Sequence, residues 1–264
     1  ANTRNARAQL RDELLVGGRV FGRLIHVRTQ QFAEAARILS GDFGFKSAYA
    51  TRDFDTILSA LENHRGRIGA NLMVLVSLDH RLIADTLRPR TRDVPFAFPD
   101  LIRAAEDTGE ATAIVSVDRR PYLMVVVPLL APVPVAWVGA GLVIDDTLAG
   151  DLRRLTRLHI SFVNWQPGGG GATPASTLPA DLRGAVPGSL PQRFDAAAAT
   201  FSVTLDRREY VSHAVPLGGK GGSSLIAVLQ QSTEEAFAPL QRLRTNLIAL
   251  FAGGFLLSMI AGVL

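Results

Sequence analysis

The feature that most constrains the fold is an internal repeat. "VDRRPYLMVVVPL" at residues 117–129 and "LDRREYVSHAVPL" at residues 205–217 share seven of thirteen positions at a constant offset of 88. The same offset pairs residues 111–112 with 199–200 and continues without a gap into the helix that follows the last strand. Two copies with so long a period are unlike a solenoid. The repeat predicts two α+β modules in series.

The shared turn between the strands is interpreted as scaffold. Asp118–Arg120 and Asp206–Arg208 fall between two predicted strands, where Asp favours a turn. Tyr122 and Tyr210 then begin the next strands, a position that favours aromatic residues. A feature that both copies keep is better explained by structure than by one ligand site.

The first 40 residues predict one long helix. Apolar residues recur at a spacing of three and four from about residue 3 to 40. Gly17, Gly18 and Gly22 weaken a helix locally. Because the apolar stripe continues past them, we expect a bend or a close helix contact there.

The remaining segments alternate between helix-like and strand-like spacing of apolar residues. A second helix is predicted over 53–69, a hairpin around Asp79–His80, and a short helix from Pro99 to Gly109. The glycine-rich stretch 166–177 is predicted to be a flexible loop.

The last 18 residues, 247–264, contain no charged side chain. At a rise of about 1.5 Å per residue they span about 27 Å, close to a bilayer's hydrocarbon core. We therefore expect a transmembrane helix, the alternative being a buried helix of a soluble domain. Because the chain is apolar to its last residue, we expect it to be a piece of a longer protein.

Composition excludes several classes of function. The net charge is only +4 and lysine occurs twice, with no dense basic run, so we expect no nucleic-acid partner. The absence of cysteine excludes disulfides and thiolate catalysis. The five histidines lack metal-ligand spacing, and no hydrolase motif occurs. We expect no catalytic residue, metal or cofactor, and an extracytoplasmic hydrolase is the weakest alternative.

The arrangement resembles the bacterial extracytoplasmic double Cache sensor domains. "NHRGRIGANLMVLVSLDHRLIADT" at 63–86 is similar to the entry of the first module, and "DRRPYLMVVVPLLAP" with "WVGAGLVIDD" to its last three strands. The resemblance covers essentially the whole chain. It implies an α+β fold: a long N-terminal helix, two tandem PAS-like (Cache) modules with antiparallel sheets, and a C-terminal transmembrane helix. The implied boundaries are 1–44, 45–150 (membrane-distal), 151–232 (membrane-proximal) and 233–264.

The same resemblance implies a sensory function. Such domains sit on dimeric histidine kinases, chemoreceptors, or enzymes that make or degrade cyclic-di-GMP. We therefore expect a non-enzymatic periplasmic input domain in the bacterial inner membrane, attached to a cytoplasmic diguanylate cyclase, phosphodiesterase or histidine kinase module. Arg242 and Arg244 beside the apolar segment favour the opposite orientation. The resemblance outweighs them, because the second flank is not part of the sequence.

A small-molecule site is expected in the first module, where it departs from the repeat. At the offset of 88, Trp137 corresponds to Leu225 and Asp145 to Thr233. Trp137 offers a stacking face and one hydrogen-bond donor. Carboxylates such as Asp145, at the end of the last strand, bind amines in some members of the family.

The remaining candidate ligand-binding residues are Tyr122, Arg88 and Arg90. The resemblance places Arg88, Arg90 and Arg92 in a loop facing the pocket, where they could bind a carboxylate ligand. The alternative is that Trp137 belongs to the core and the arginines are solvated. The domain would then be a ligand-free dimerisation or protein-partner-sensing module.

A homodimer is expected at both ends of the chain. The apolar stripe of the first helix is longer than one small module needs to cover, which favours a partner helix. Gly254, Ser258 and Gly262 are spaced four apart in the membrane segment, a pattern that allows two helices to approach closely.

Overall fold

One long helix is followed by two separate antiparallel sheets in the computed structural model, which describes residues 2–165, 171–191, 200–218 and 224–234. The two sheets agree with the predicted pair of α+β modules. The predicted membrane segment lies outside the described residues. Within the described ranges, no helix is both long and apolar enough to cross a membrane.

Helix α1 spans Asn2–Ser40, as the periodicity predicts. Its N-terminal half buries Leu14 and Phe21 against the second sheet, and its C-terminal half buries Phe32 and Leu39 against the first. This one helix therefore contributes to the cores of both modules.

The glycine pair in α1 allows a close approach. A Cβ atom on Gly18 would lie 2.5 Å from Cδ2 of His213 in the second sheet, and one on Gly17 would overlap Leu158. The expected close contact is present, but its partners are side chains of the second module and not another helix.

The first module follows the order of elements that the sequence predicts, with additions. Its elements are α2 (Phe43–Ala50), α3 (Phe54–Ile68), β1 (Leu72–Val76), β2 (Arg81–Asp85), β3 (Val94–Pro95), α4 (Pro99–Thr108), β4 (Ala111–Val117), β5 (Arg120–Leu130) and β6 (Pro134–Val143). The sheet order is β3-β2-β1-β6-β5-β4. Helix α2 was not expected from the sequence, and it begins where the Asp42 carboxylate accepts a hydrogen bond from the backbone N–H of Phe45.

The second module repeats this order without the short third strand. Its elements are α5 (Asp146–Thr156), β7 (His159–Trp165), β8 (Gly171–Ser176), α6 (Ala180–Arg183), α7 (Val186–Ser189), β9 (Thr200–Leu205), β10 (Arg208–Gly218) and β11 (Ser224–Ser232). The sheet order is β8-β7-β11-β10-β9. The expected loop at 166–177 was wrong over 171–176, because β8 pairs with β7 there. The domain boundaries stay a prediction.

The repeated Asp-Arg-Arg sequence forms the same turn twice. Asp118 and Arg119 have φ of 50° and 63°, and Asp206 and Arg207 have φ of 43° and 64°. Two consecutive positive φ angles match the right-handed twist of a two-residue hairpin. The interpretation of this motif as a turn is confirmed.

The gap-free offset of 88 was wrong in the last strand of each module. Pro128 pairs with Trp137, whereas its counterpart Pro216 pairs with Ile226, so the offset there is 226 − 137 = 89. A shift of one residue moves a side chain to the opposite face of a sheet. Trp137 is therefore equivalent to Ile226, while Leu225 packs against α1.

Each sheet has an inner face under α1 and an outer face under shorter helices. The outer face of the first sheet is defined by Val74, Val76, Met124, Val126 and Trp137, and α4 packs on it. The outer face of the second sheet packs against α6 and α7.

Candidate functional site on the outer face of the first sheet

Trp137 is a buried hydrogen-bond donor without an acceptor. It lies in β6 opposite Val76 and Pro128, and its side chain is 4% exposed. Its indole Nε1 is buried and has no hydrogen-bond partner among the described residues. An unpaired buried donor costs about 1–3 kcal/mol. A ligand with a hydrogen-bond acceptor would remove that cost.

Two glycines follow Trp137 on the same face of β6. A Cβ atom on Gly139 would lie 2.6 Å from Cγ2 of Val74, and one on Gly141 would lie 3.2 Å from Cβ of Leu72. The space beside Trp137 is thus filled by side chains of neighbouring strands and not by β6 itself.

Asp85 is a buried carboxylate on this face that sequence reasoning missed. It is 5% exposed and lies directly opposite Val74, and side chains of directly opposed residues share a face. Its Oδ1 accepts hydrogen bonds from the backbone N–H groups of Leu87 (2.7 Å) and Arg88 (3.3 Å). The available signal was an acidic residue inside the apolar strand "RLIAD".

Tyr122 lies on the outer face but at the opposite end from Trp137. Tyr122 pairs with Val143, six residues along β6 from Trp137, which is about 20 Å at the rise of a strand. Burial raises the pKa of Tyr122; Arg120 lowers it, and the carboxylates of Asp118, Asp85 and Asp145 raise it. The phenol is therefore neutral at physiological pH, and the structure does not bring it to Trp137.

Asp145 is engaged in a helix cap. Its Oδ1 accepts a hydrogen bond of 3.0 Å from the backbone N–H of Leu148, which stabilises the start of α5. Because Asp145 acts on the pKa of Tyr122, it lies at the Tyr122 end of the face. A ligand amine at Asp145 would share this carboxylate with the cap, because the cap uses only one of its oxygens.

The three arginines of the 86–93 loop lie in different environments. Arg88 forms an ion pair of 2.5 Å with Asp118 in the β4–β5 turn. Arg90 is exposed and forms no ion pair with any described residue. Arg92 lies 4.9 Å from the ring centroid of Phe54, which packs against the inner face. The loop therefore does not converge on one anion site.

On the outer face of the second module, buried polar side chains form a row of hydrogen bonds. A row of buried side chains joins Ser176 to Ser161 (2.7 Å), Ser161 to Oε1 of Gln230 (3.3 Å), and Nε2 of Gln230 to Ser212 (3.4 Å). Gln230 occupies the position of Gly141, and Val228 that of Gly139. In the second sheet Gln230 and Val228 therefore fill positions that are covered in the first sheet by side chains of neighbouring strands.

Two cavities in the described part of the chain lie elsewhere. One of about 670 Å³ runs along the free edge of β4 to Asn164 and Leu217 of the second module. Another of about 410 Å³ lies between α1, α3 and α5. Neither is lined by Trp137. The described part of the chain also contains no group of three acidic or histidine side chains able to hold a metal ion.

Comparison with family models identifies the class of protein. A model described as the double sensory domain of two-component sensor kinases matches residues 7–235. This chain therefore belongs to the family of double Cache sensor domains, and the resemblance inferred from the sequence is confirmed. No curated protein matches the chain.

Solved structures show the same fold at low sequence identity. The periplasmic domain of Vibrio cholerae LuxQ is 10% identical with a TM-score of 0.56, over 84% of this chain and 99% of that one. A domain of a sensory box/GGDEF family protein from Vibrio parahaemolyticus is 12% identical with a TM-score of 0.57, over 89% and 99%. The ligand-binding domain of the Pseudomonas fluorescens chemoreceptor CtaA, in complex with L-isoleucine, is 14% identical with a TM-score of 0.51, over 89% and 96%.

Proposed function

We propose that this sensor domain is the extracytoplasmic input of a bacterial membrane signal transducer and binds a small molecule on the outer face of its first module, against Trp137. The observation that carries this proposal is the buried indole Nε1 without a partner, beside glycine positions filled by neighbouring side chains. The ligand supplies a hydrogen-bond acceptor to Nε1 and displaces Val74. The CtaA domain, which is in complex with L-isoleucine, gives the first probe to test.

The signal is relayed through a homodimer in this proposal. Apolar side chains of α1 remain uncovered by either sheet: Val16 is 50% exposed, Val20 42% and Ile38 69%. Together with half-buried Leu24 and Val27 they follow the three-four spacing of a helix that packs against its twin. Residues 247–264 anchor the domain in the membrane, and the output module is a diguanylate cyclase, phosphodiesterase or histidine kinase.

Fluorescence of Trp137 tests the site directly. The sequence has two tryptophans, so Trp165→Phe leaves Trp137 as the only indole. This variant is titrated with L-isoleucine, and then with amines, other carboxylates and purines. The compound that binds at Trp137 should change the fluorescence emission and also raise the melting temperature. Trp137→Phe keeps most of the volume and removes the donor. It should weaken binding about tenfold, the effect of one neutral hydrogen bond.

A matched control is available in the second module. Ile226→Val lies at the position equivalent to Trp137 and should leave the affinity unchanged. A ligand whose affinity survives Trp137→Phe but is lost in Ser212→Ala would place the site in the second module and overturn the assignment.

The alternative function is a ligand-free dimerisation or partner-sensing module. It is favoured by the filled outer face, since Val74 occupies the space beside Gly139 and neither large cavity reaches Trp137. If no probe changes the emission of Trp137 or the melting temperature, this alternative replaces the ligand-binding proposal.

A further inference from the structure

A buried histidine joins α1 to the second sheet. His213 is 4% exposed and lies on the inner face of β10, with its ring edge against the backbone of Gly18. A Cβ atom at residue 18 would lie 2.5 Å from Cδ2 and 2.6 Å from Nε2 of the imidazole. The Nδ1 atom is buried and has no hydrogen-bond partner among the described residues.

No charged group faces this imidazole in the described part of the chain. Its strand partners are Thr200 in β9 and Leu229 in β11. Glu209, the nearest charged residue on the same face of β10, is four residues away, or about 13 Å. On α1, Arg19 follows Gly18, but its side chain is exposed. Gln231 shares the inner face with His213 and is uncharged; its buried Oε1 has no partner among the described residues.

Protonation is therefore costly in the packed state. Burial lowers the pKa of His213. The unfolded or detached histidine, with an ordinary pKa of about 6.5, then binds a proton more readily than the packed one. The contact is at full strength above that pKa and weakens as the pH falls through it.

We propose that His213 is a proton-sensitive contact that holds the N-terminal half of α1 on the second module, so that acidification loosens α1 from this module while its C-terminal half stays packed on the first. Gly18 makes the contact possible, since any larger residue would separate helix and ring. The helix that enters both cores then transmits a change of pH independently of the ligand site.

Distance measurements between two spin labels test the proposal. The chain has no cysteine, so Arg19→Cys and Ser202→Cys, both at exposed positions of α1 and β9, can be labelled in the full chain. The pH is lowered from about 7.5 to about 5.5, which crosses the ordinary histidine pKa of about 6.5. The distance between the labels should then increase, or its distribution should broaden. His213→Phe should abolish this response.

Two further variants separate proton sensing from simple packing. His64→Phe removes the other buried histidine whose pKa burial lowers, in the first module, and should keep the wild-type response. Gln231→Glu places a carboxylate on the same face as His213, which favours the protonated ring and should suppress the loosening. A distribution that does not change with pH in the wild type, or an unchanged response in His213→Phe, would overturn the proposal.

Discussion

The two modules share a strand order and a hairpin turn but treat their outer faces differently. In the first, β6 presents Trp137, Gly139 and Gly141, with an indole N–H that has no partner in the described ranges. In the second, β11 presents Ile226, Val228 and Gln230 at the equivalent positions, and Gln230 completes a row of hydrogen bonds.

This difference bears on which module would bind a ligand. Buried polar groups are nearly always paired, so the row of hydrogen bonds fixes the outer face of the second module, whereas the indole N–H of the first has no partner among the described residues. Gln230 occupies the position of Gly141, which in the first module is covered by side chains of neighbouring strands. This contrast supports the proposed ligand site in the first module.

The largest expected effects test whether the modules unfold as one unit. Leu75 and Phe162 are equivalent inner-face residues, fully buried beneath α1. Leu75→Ala should cost about 2–5 kcal/mol and Phe162→Ala about 3–5 kcal/mol. Because α1 belongs to both cores, the protein should unfold in a single calorimetric transition, and each variant should lower the midpoint temperature of that transition.

An exposed truncation provides the control for that experiment. Leu155 is 65% exposed, and Leu155→Ala should change stability by less than about 0.5 kcal/mol. Two separate transitions, with only one of them shifted by each core variant, would show that the modules are independent despite their common helix.

A smaller effect is expected from opening the polar row of the second module. Gln230→Leu leaves the hydroxyl groups of Ser161 and Ser212 without their glutamine partner, which should cost about 1–3 kcal/mol. Gln231→Leu is the matched control on the opposite face, where Oε1 has no partner in the part of the chain that the structure describes. The free energy of unfolding, measured with denaturant, should therefore fall less in this variant. Equal losses in the two variants would mean that the row is not what distinguishes the second module.

Much of the fold was readable from the sequence because local patterns and tertiary structure agree. The three-four spacing of α1, the positive-φ turns at Asp118 and Asp206, and the repeat itself each indicated an element that is present. The family could be predicted for the same reason, and its model matches residues 7–235.

The candidate site was less readable because it depends on register and on long-range contacts. One extra residue between β10 and β11 moved the counterpart of Trp137 from Leu225 to Ile226, and no local signal marks such an insertion. Asp145 was expected to bind a ligand amine, and the sequence did not indicate that it also caps the start of α5. Asp85 became visible only through its pairing with Val74.

The smallest expected effect concerns the contacts at the start of α5. Asp146 accepts a hydrogen bond from the backbone N–H of Ser176 (2.8 Å) and pairs with Arg183 (2.7 Å), which ties the start of α5 to β8 and α6. Burial acts to raise the pKa of Asp146, but these two partners outweigh it and the pKa is lowered. The stabilisation is therefore present above the ordinary carboxyl pKa of about 3.9 and is lost as the pH falls below it.

Asp146→Ala measures how much these contacts contribute to the free energy of unfolding. The side chain is 54% exposed, so solvent screening limits the expected loss of unfolding free energy to about 0.5 kcal/mol at neutral pH. The difference from wild type should shrink as the pH falls below the carboxyl pKa. Asp100→Ala, which removes an exposed pair with Arg103 within one helix, should have no measurable effect. A loss that persists unchanged in acid would show that Asp146 acts through packing and not through its charge.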